Sequence, residues 1–560
     1  MEAVRTETQA EEKTRSKLDA TWWLSIAAEV FSLFALNCLA LYQNFAHSFL
    51  PVFDNGVTIY LVRGLKAGLI PHLDIYSHHF VGYVLLFRLA DYILPLTSSP
   101  NAYWLLIVLF NFASTILIYQ TLRCLEVSTS YTWLGALFTA TVGWFPSFQG
   151  TLSNVQSCLL PFLNLLMFLL IHAALTQSFR MFYAAAFCYG LMLTLDQRLL
   201  FFGILFLPAL CAIPGARGVR SLLCAALIAA APALTGLLWI HLHGALAEFY
   251  RQTVEFPMHY RNAGEQGMSS LLCAVWNTHI WPNRGPFALA LIGTAGSCLL
   301  ERRKWLPAIL VLQLTAASLY VLAGGRCFAN YMLLLVPWVC LTFPLAFVYA
   351  ERFCRGTSAR VSLRLVAWLL PACIALNFIL NPLSPGKGGD LLPLVLTKTI
   401  LPYETNLPPG EQPEDETRYS RKLAKVITSL TSPEDRILVW SPKIHLYNAS
   451  ERFSSARDPG LITIAQSEIQ TRTRTTDTRT VVPAMLDEFK AGLESAPPKL
   501  IIRPRGPRIC DRSIPRPVSD EFRLSTLPHL AFFNQYAASH YQLVKTFCYK
   551  KASADLLLRR

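Results

Sequence analysis

Long apolar runs recur between residues 22 and 382, and they constrain the fold more than anything else in the chain. Runs of about 15 to 25 residues match the ~20 that an α-helix needs to cross a bilayer, where only helices or closed barrels satisfy every backbone polar group. With 53% apolar residues and a mean hydropathy of +0.38, the chain reads as a polytopic α-helical membrane protein. Candidate spans lie near 22–43, 80–96, 102–122, 131–146, 155–176, 181–195, 199–214, 221–243, 286–300, 306–323, 328–350 and 365–382. The first, Trp22 to Tyr42, is long enough to stay in the membrane behind its charged arm, which argues against a cleaved signal peptide.

Basic residues orient the bundle. Arg5, Lys13, Arg15 and Lys17, then Arg217 and Arg220, then Arg302, Arg303 and Lys304, then Arg352, Arg355, Arg360 and Arg364 mark cytoplasmic segments. Segments 45–80 and 244–285 and everything beyond about 383 then fall on the opposite side. Eight candidate spans precede residue 244, but an internal N-terminus and an external 244–285 loop require an odd number. One short segment between 80 and 214 is therefore expected to be re-entrant or wrongly divided. The count is about 11–13 spans.

Past residue 383, Pro, Gly and charge replace the apolar runs. The expected organisation is a cytoplasmic arm at 1–21, a transmembrane module at 22–383, a linker at 384–416 and an extracytoplasmic α/β domain at 417–560. Helical periodicity predicts helices at Thr417–Leu430 and Val481–Leu493. Short β-rich runs predict strands at Arg436–Trp440, Lys499–Arg503 and Gln542–Lys550.

From residue 385 onward there are 26 basic and 19 acidic residues, half of the chain's net charge of +14. Basic residues flank spans or mix with acids, and no aromatic-interleaved recognition motif appears, so nucleic acid is not an expected partner. Anionic lipid or phosphate-bearing substrates fit better. Most of the 14 cysteines sit in apolar spans or short loops, where they behave as small hydrophobes. Cys510 and Cys548 are the pair in the C-terminal domain; a disulfide and two free thiols both remain open.

The densest chemistry lies in Asp54 to Tyr83. Val57, Leu61, Val62, Leu65 and Leu69 form one helical face with Arg63 and Lys66 elsewhere, the pattern of an interfacial helix. Gly68 and Pro71 close it, and an extended turn presents His72, Asp74, His78 and His79. A carboxylate at a membrane boundary suits a general base, although Asp54 is equally an N-cap residue type and Asp74 a turn former. A zinc site built on these histidines is disfavoured, because adjacent histidines on an extended segment do not converge on one ion.

This loop resembles the first external loop of the GT-C superfamily of polyprenyl-phosphate-sugar glycosyltransferases, in particular the dolichyl-phosphate-mannose transferase-like and RgtA/B/C/D-like group. Asp54, Gly68, Pro71, Asp74, His78, Gly82 and Tyr83 fit its pattern. GLMLTLDQRLLFFG (190–203), AEFYRQTVEFPMHYRN (247–262) and GGRCFANYMLLLVP (324–337) are similar to later elements. The sequence departs from the pattern at Asn55, His72, His79-Phe80-Val81, Gln156 and Asn330.

The resemblance implies inverting transfer of a sugar from a polyprenyl-phosphate donor to an extracytoplasmic glycan, lipid or protein acceptor, at a bacterial inner membrane. Asp54 is the implied catalytic base, with Asp74, His72, His78 and His79 contacting donor or acceptor. Arg326, Arg198 and Arg261 are the implied donor-phosphate ligands, ahead of Arg251 and Arg284. Neither a cofactor nor a metal is implied. The alternatives are a lipid-linked saccharide transporter or flippase, which predicts internal repeats and ionisable groups near span centres, and a non-catalytic GT-C relative. Asp196 beside Arg198 reads as an ion pair at a membrane boundary, with donor contact as the other reading.

Overall fold

In the computed structural model the described residues are 27–35, 37–38, 53–97, 100–142, 155–214, 218–258, 268–280, 284–323, 329–356, 413–441, 444–461, 464, 483–505, 530–549 and 552–560. The N-terminal arm, the 365–382 segment and most of the linker lie outside them.

The first elements are α1 (Phe53–Lys66), α2 (Val81–Ile93), α3 (Pro100–Cys124), α4 (Thr129–Val142), α5 (Val155–Thr176) and α6 (Phe179–Leu193). A 3-10 helix at Gln197–Leu205 continues into α7 (Phe206–Ala212), followed by α8 (Val219–Leu242) and α9 (Leu246–Tyr250), which ends in a π-helical turn at Arg251–Glu255. Next come α10 (Met268–Val275), α11 (Arg284–Leu300), α12 (Trp305–Ala323) and α13 (Val336–Gly356), the last entered through a 3-10 helix at Ala329–Leu335.

Among the described residues, five helices are long and apolar enough to cross a membrane. They include residues of α3, α5, α8 and α12 and the segment Tyr331–Phe353. Gln197–Ala212 is shorter, but about 2.0 Å of rise per residue through its 3-10 part and 1.5 Å through α7 make it roughly 28 Å long, nearly a hydrocarbon core.

The 80–96 segment departs from expectation. It is a 13-residue helix, α2, which at about 1.5 Å per residue is only ~20 Å long. Thr58 Oγ1 lies 2.6 Å from Tyr83 OH, and Lys66 Nζ lies 3.0 Å from Asp91 Oδ2, so α2 runs parallel to α1 and beside it. Arg88 and Asp91, towards its far end, are in ion-pair contact.

The C-terminal part contains α14 (Pro413–Leu430), β1 (Arg436–Val439), α15 (His445–Ser450), β2 (Phe453–Ser454), α16 (Pro483–Ser495), β3 (Leu500–Arg505), α17 (Ala531–His540), β4 (Tyr541–Tyr549) and β5 (Ala552–Arg559). Every helix and strand expected there is present within a few residues. Strand β5 was not anticipated, because a polar start and an Arg-Arg end gave ASADLLLRR the look of a tail. The sheet order is β2-β1-β3-β5-β4, parallel across the first three strands and antiparallel beyond.

Strand alternation divides this sheet between two cores. Leu438, Trp440 and Ile501 pack with Phe489, Leu493 and Phe533 on one face. Ile437, Val439, Leu500, Ile502, Ala554 and Leu556 belong to the core that continues into the helical bundle.

The junction is α1. Arg63 Nη1 donates to the Tyr447 carbonyl at 2.9 Å and to Asn448 Oδ1 at 3.1 Å. Asn448 Nδ2 donates to the Gly56 carbonyl at 2.8 Å, and the Ser454 amide donates to Tyr60 OH at 2.8 Å. The helix read as interfacial thus exists, but the C-terminal domain covers part of its polar face. Engagement of the Asn448 amide at both ends also makes the Asn448-Ala449-Ser450 sequon a packing element.

Candidate active site at one end of the bundle

The parallel register of α1 and α2 assembles the first half of the site. Asp54 is in the first turn of α1, one turn before Thr58. His79 packs on Tyr83 with ring centroids 4.8 Å apart. Since Thr58 pairs with Tyr83, the backbone of Asp54 stands at the level of His79. Gly82 lets the start of α2 come close to the end of α6, because a Cβ there would collide with Thr194.

His78 and His79 are neighbours in space as well as sequence, with centroids 4.0 Å apart. Burial pushes the His78 imidazole down to about 4, helped by the nearby Arg198 charge. His79 is held well below its ordinary value by burial, then by His78 and Arg198. Both rings are therefore neutral near pH 7, each with one N–H donor and one acceptor nitrogen. Arg198 lowers both imidazoles, and the close approach of Gly82 to Thr194 brings the start of α2 beside the 196–198 turn.

That turn is the second half. Asp196 caps the 3-10 helix by accepting the Arg198 amide at 2.9 Å. Arg198 returns a bidentate pair, Nε to Asp196 Oδ1 at 3.0 Å and Nη2 to Oδ2 at 2.6 Å. Tyr320 OH, from α12, donates to Asp196 Oδ2 at 2.7 Å and accepts from Gln156 Nε2 of α5 at 2.7 Å. The guanidinium carbon lies 4.5 Å from the Tyr320 ring centroid and 4.8 Å from that of Tyr331. Burial pushes the Asp196 carboxyl up, but the Arg198 charge and the hydrogen bonds from Arg198 and Tyr320 outweigh it and hold the group below the usual carboxylate range.

The other sequence candidates fall elsewhere. His72 is fully buried, with φ +70°, and its Nδ1 lies 3.3 Å from Gln252 Oε1. Burial lowers it to about 4. Asp74 is exposed and closes a turn, its carboxylate accepting the Ile70 amide at 2.8 Å. Arg251 pairs with Glu248 at 3.1 Å and Glu488 at 3.7 Å. Arg284 begins α11 and is exposed. Arg261 and Arg326, and the side chains of Asp54, Asn55 and Asn330, lie outside the described residues.

Sequence reasoning missed Tyr320 and Gln252. Tyr320 is a tyrosine near the end of a long apolar helix, a signal available in principle. Gln252 lies within the quoted 247–262 segment, but its partners are 175 to 180 residues away. Among the described residues, no group of three or more His, Cys, Asp or Glu is placed to hold a metal ion.

No protein-family model matches this chain, and no curated protein sequence does. Solved structures do. ArnT from Cupriavidus metallidurans, solved in the apo state, matches with a TM-score of 0.54 at 10% identity over 95% of this chain and 98% of its own. The Archaeoglobus fulgidus oligosaccharyltransferase, solved tethered with an acceptor peptide containing the NVT sequon, matches with a TM-score of 0.46 at 11% identity over 94% of this chain and 74% of its own. The likeness to ArnT spans nearly the whole of both chains, so the two share a fold.

Proposed function

We propose that this chain is an integral-membrane glycosyltransferase moving a sugar from a polyprenyl-phosphate donor to an acceptor outside the cytoplasm. The observation that carries the reading is convergence: in a GT-C fold, the helix start bearing Asp54, the neutral His78–His79 pair and the Arg198–Asp196 pair meet at one end of the bundle.

The chemistry follows from the leaving group. Asp54, as carboxylate, takes the proton of an acceptor hydroxyl, and the hydroxyl oxygen attacks the anomeric carbon from the face opposite the phosphate. The bond between that carbon and the phosphate oxygen breaks with its electron pair, so polyprenyl phosphate departs and the anomeric centre inverts. A phosphate needs fixed positive charge and N–H donors rather than a proton. Arg198, paired with Asp196, and the neutral His78 and His79 supply N–H donors from the described part of the site, and Arg326 and Arg261 supply the net positive charge in the proposed set. Asp74 and His72 support the loop from its turn.

Topology fits this assignment. Contacts of the C-terminal domain with α1 and with α9 set it at the same end of the bundle as the histidines. The basic loops at 217–220 and 302–304 sit at the other ends of the same helices. An internal N-terminus, eleven spans and an extracytoplasmic C-terminal domain satisfy both. A bacterial inner membrane is the proposed location.

The test is reconstitution of the purified protein with a polyprenyl-phosphate sugar and an acceptor extract, followed by mass spectrometry of lipids and glycans. The expected result is release of polyprenyl phosphate and a new glycoside of inverted configuration. Movement of intact donor across the bilayer with no glycosidic product would replace this reading with a flippase.

A further inference from the structure

We infer that Gln252 is a positioning residue that holds the His78–His79 segment against the Arg198–Asp196 turn. The inference rests on the glycosyltransferase reading for its kinetic consequences, and on geometry alone for its structural one.

The loop from Pro71 to Phe80 has two parts with different support. Residues 70–75 close on themselves: the His72 amide donates to the Ile75 carbonyl at 2.8 Å, and the Asp74 amide to the Ile70 carbonyl at 2.8 Å. Residues 76–79 carry the histidines and have little of this. The Tyr76 amide donates to the Arg457 carbonyl of the C-terminal domain at 3.0 Å. The Ser77 amide donates to Gln252 Oε1 at 3.0 Å, and Gln252 Nε2 donates to the His72 carbonyl at 2.8 Å. His72 Nδ1 also lies 3.3 Å from Gln252 Oε1. One amide therefore ties both ends of the 72–77 segment, and it is itself 1% exposed.

Gln252 reaches two partners because its side-chain amide offers both an acceptor oxygen and a donor nitrogen. It lies in the π-helical turn Arg251–Glu255, where a widened backbone frees groups that an α-helix would pair, and such turns concentrate at functional sites. The next residue completes the link. Gln197 Nε2, one position before Arg198, donates to the Thr253 carbonyl at 3.0 Å. Two consecutive residues of one turn thus grip the loop leading to His78 and the turn bearing Arg198. The separation of the two halves of the site is set through that turn.

Gln252→Ala removes the amide, and Gln252→Glu keeps its shape while exchanging the donor for a titratable oxygen. In Gln252→Ala, hydrogen exchange across residues 72–79 is expected to accelerate while α5 and α12 exchange as in the wild type. The donor KM is expected to rise roughly tenfold, with acceptor KM unchanged, as for loss of a buried hydrogen-bonded brace. In Gln252→Glu the donor KM, taken relative to wild type at each pH, is expected to fall back towards unity as the pH is lowered, because the protonated carboxyl again donates to the His72 carbonyl while accepting from Ser77. Unchanged exchange across 72–79, equal loosening of every segment, or a pH-independent defect in Gln252→Glu would overturn the inference. A wild-type protein that transfers no sugar sinks the parent reading, and the exchange measurement then decides the role of Gln252 on its own.

Discussion

The two halves of the site are built on opposite principles. Asp196, Arg198, Tyr320 and Gln156 sit on three bundle segments and satisfy one another, so their charge is balanced inside the protein. His78 and His79 lie on a loop whose backbone is fastened by Gln252 and by Arg457 of the C-terminal domain. The first half is a rigid, neutral platform, while the second is placed by distant partners and keeps imidazoles able to donate or accept.

The comparison is broken most severely by Arg198→Ala. Removing one member of a buried pair leaves Asp196 unbalanced, at a cost of about 3–5 kcal/mol. Thermal unfolding in detergent is expected to show a large loss, and wild-type stability would mean that the platform is not held by this pair.

The loop half is more exposed to acid. His72 has a folded-state value of about 4 against 6.5 unfolded. The unfolded chain therefore binds the proton more readily, and stability rises with pH across this window. It is lost as pH falls from about 6.5 towards 4, by up to roughly 3 kcal/mol at ~1.4 kcal/mol per unit. Melts across this range in wild type and His72→Gln check the claim: the variant should have a flatter profile.

Tyr320→Phe sharpens the contrast on the platform side. It deletes the donor to Asp196 and the acceptor of Gln156, for an expected loss of about 1–3 kcal/mol. An unaltered melting temperature would show that Arg198 suffices for Asp196 without the hydroxyl. The smallest effect belongs to Lys66→Ala. Lys66 pairs with Asp91 at 3.0 Å, but its side chain is 45% exposed. Below about 1 kcal/mol is expected there, and a larger loss would mean that the parallel packing of α1 and α2 depends on that ion pair.

Much of the architecture was legible in the sequence because it rests on local signals. Apolar runs gave the long spans, β-rich runs gave β1, β3 and β4, and the two-residue spacing of Asp196 and Arg198 gave their pairing. What failed is what distant residues decide. Nothing in its own helix announces that Arg63 will be met by Asn448, 385 residues later. Gln252 was not singled out for the same reason.

The central claim is that Asp54 accepts the acceptor's proton. The most direct measurement compares sugar transfer from a polyprenyl-phosphate donor by wild type and Asp54→Asn, both reconstituted and matched by thermal melt. Loss of turnover by about 10²–10⁴-fold, with folding and donor binding retained, is the predicted result. Transfer by Asp54→Asn at the wild-type rate would contradict it.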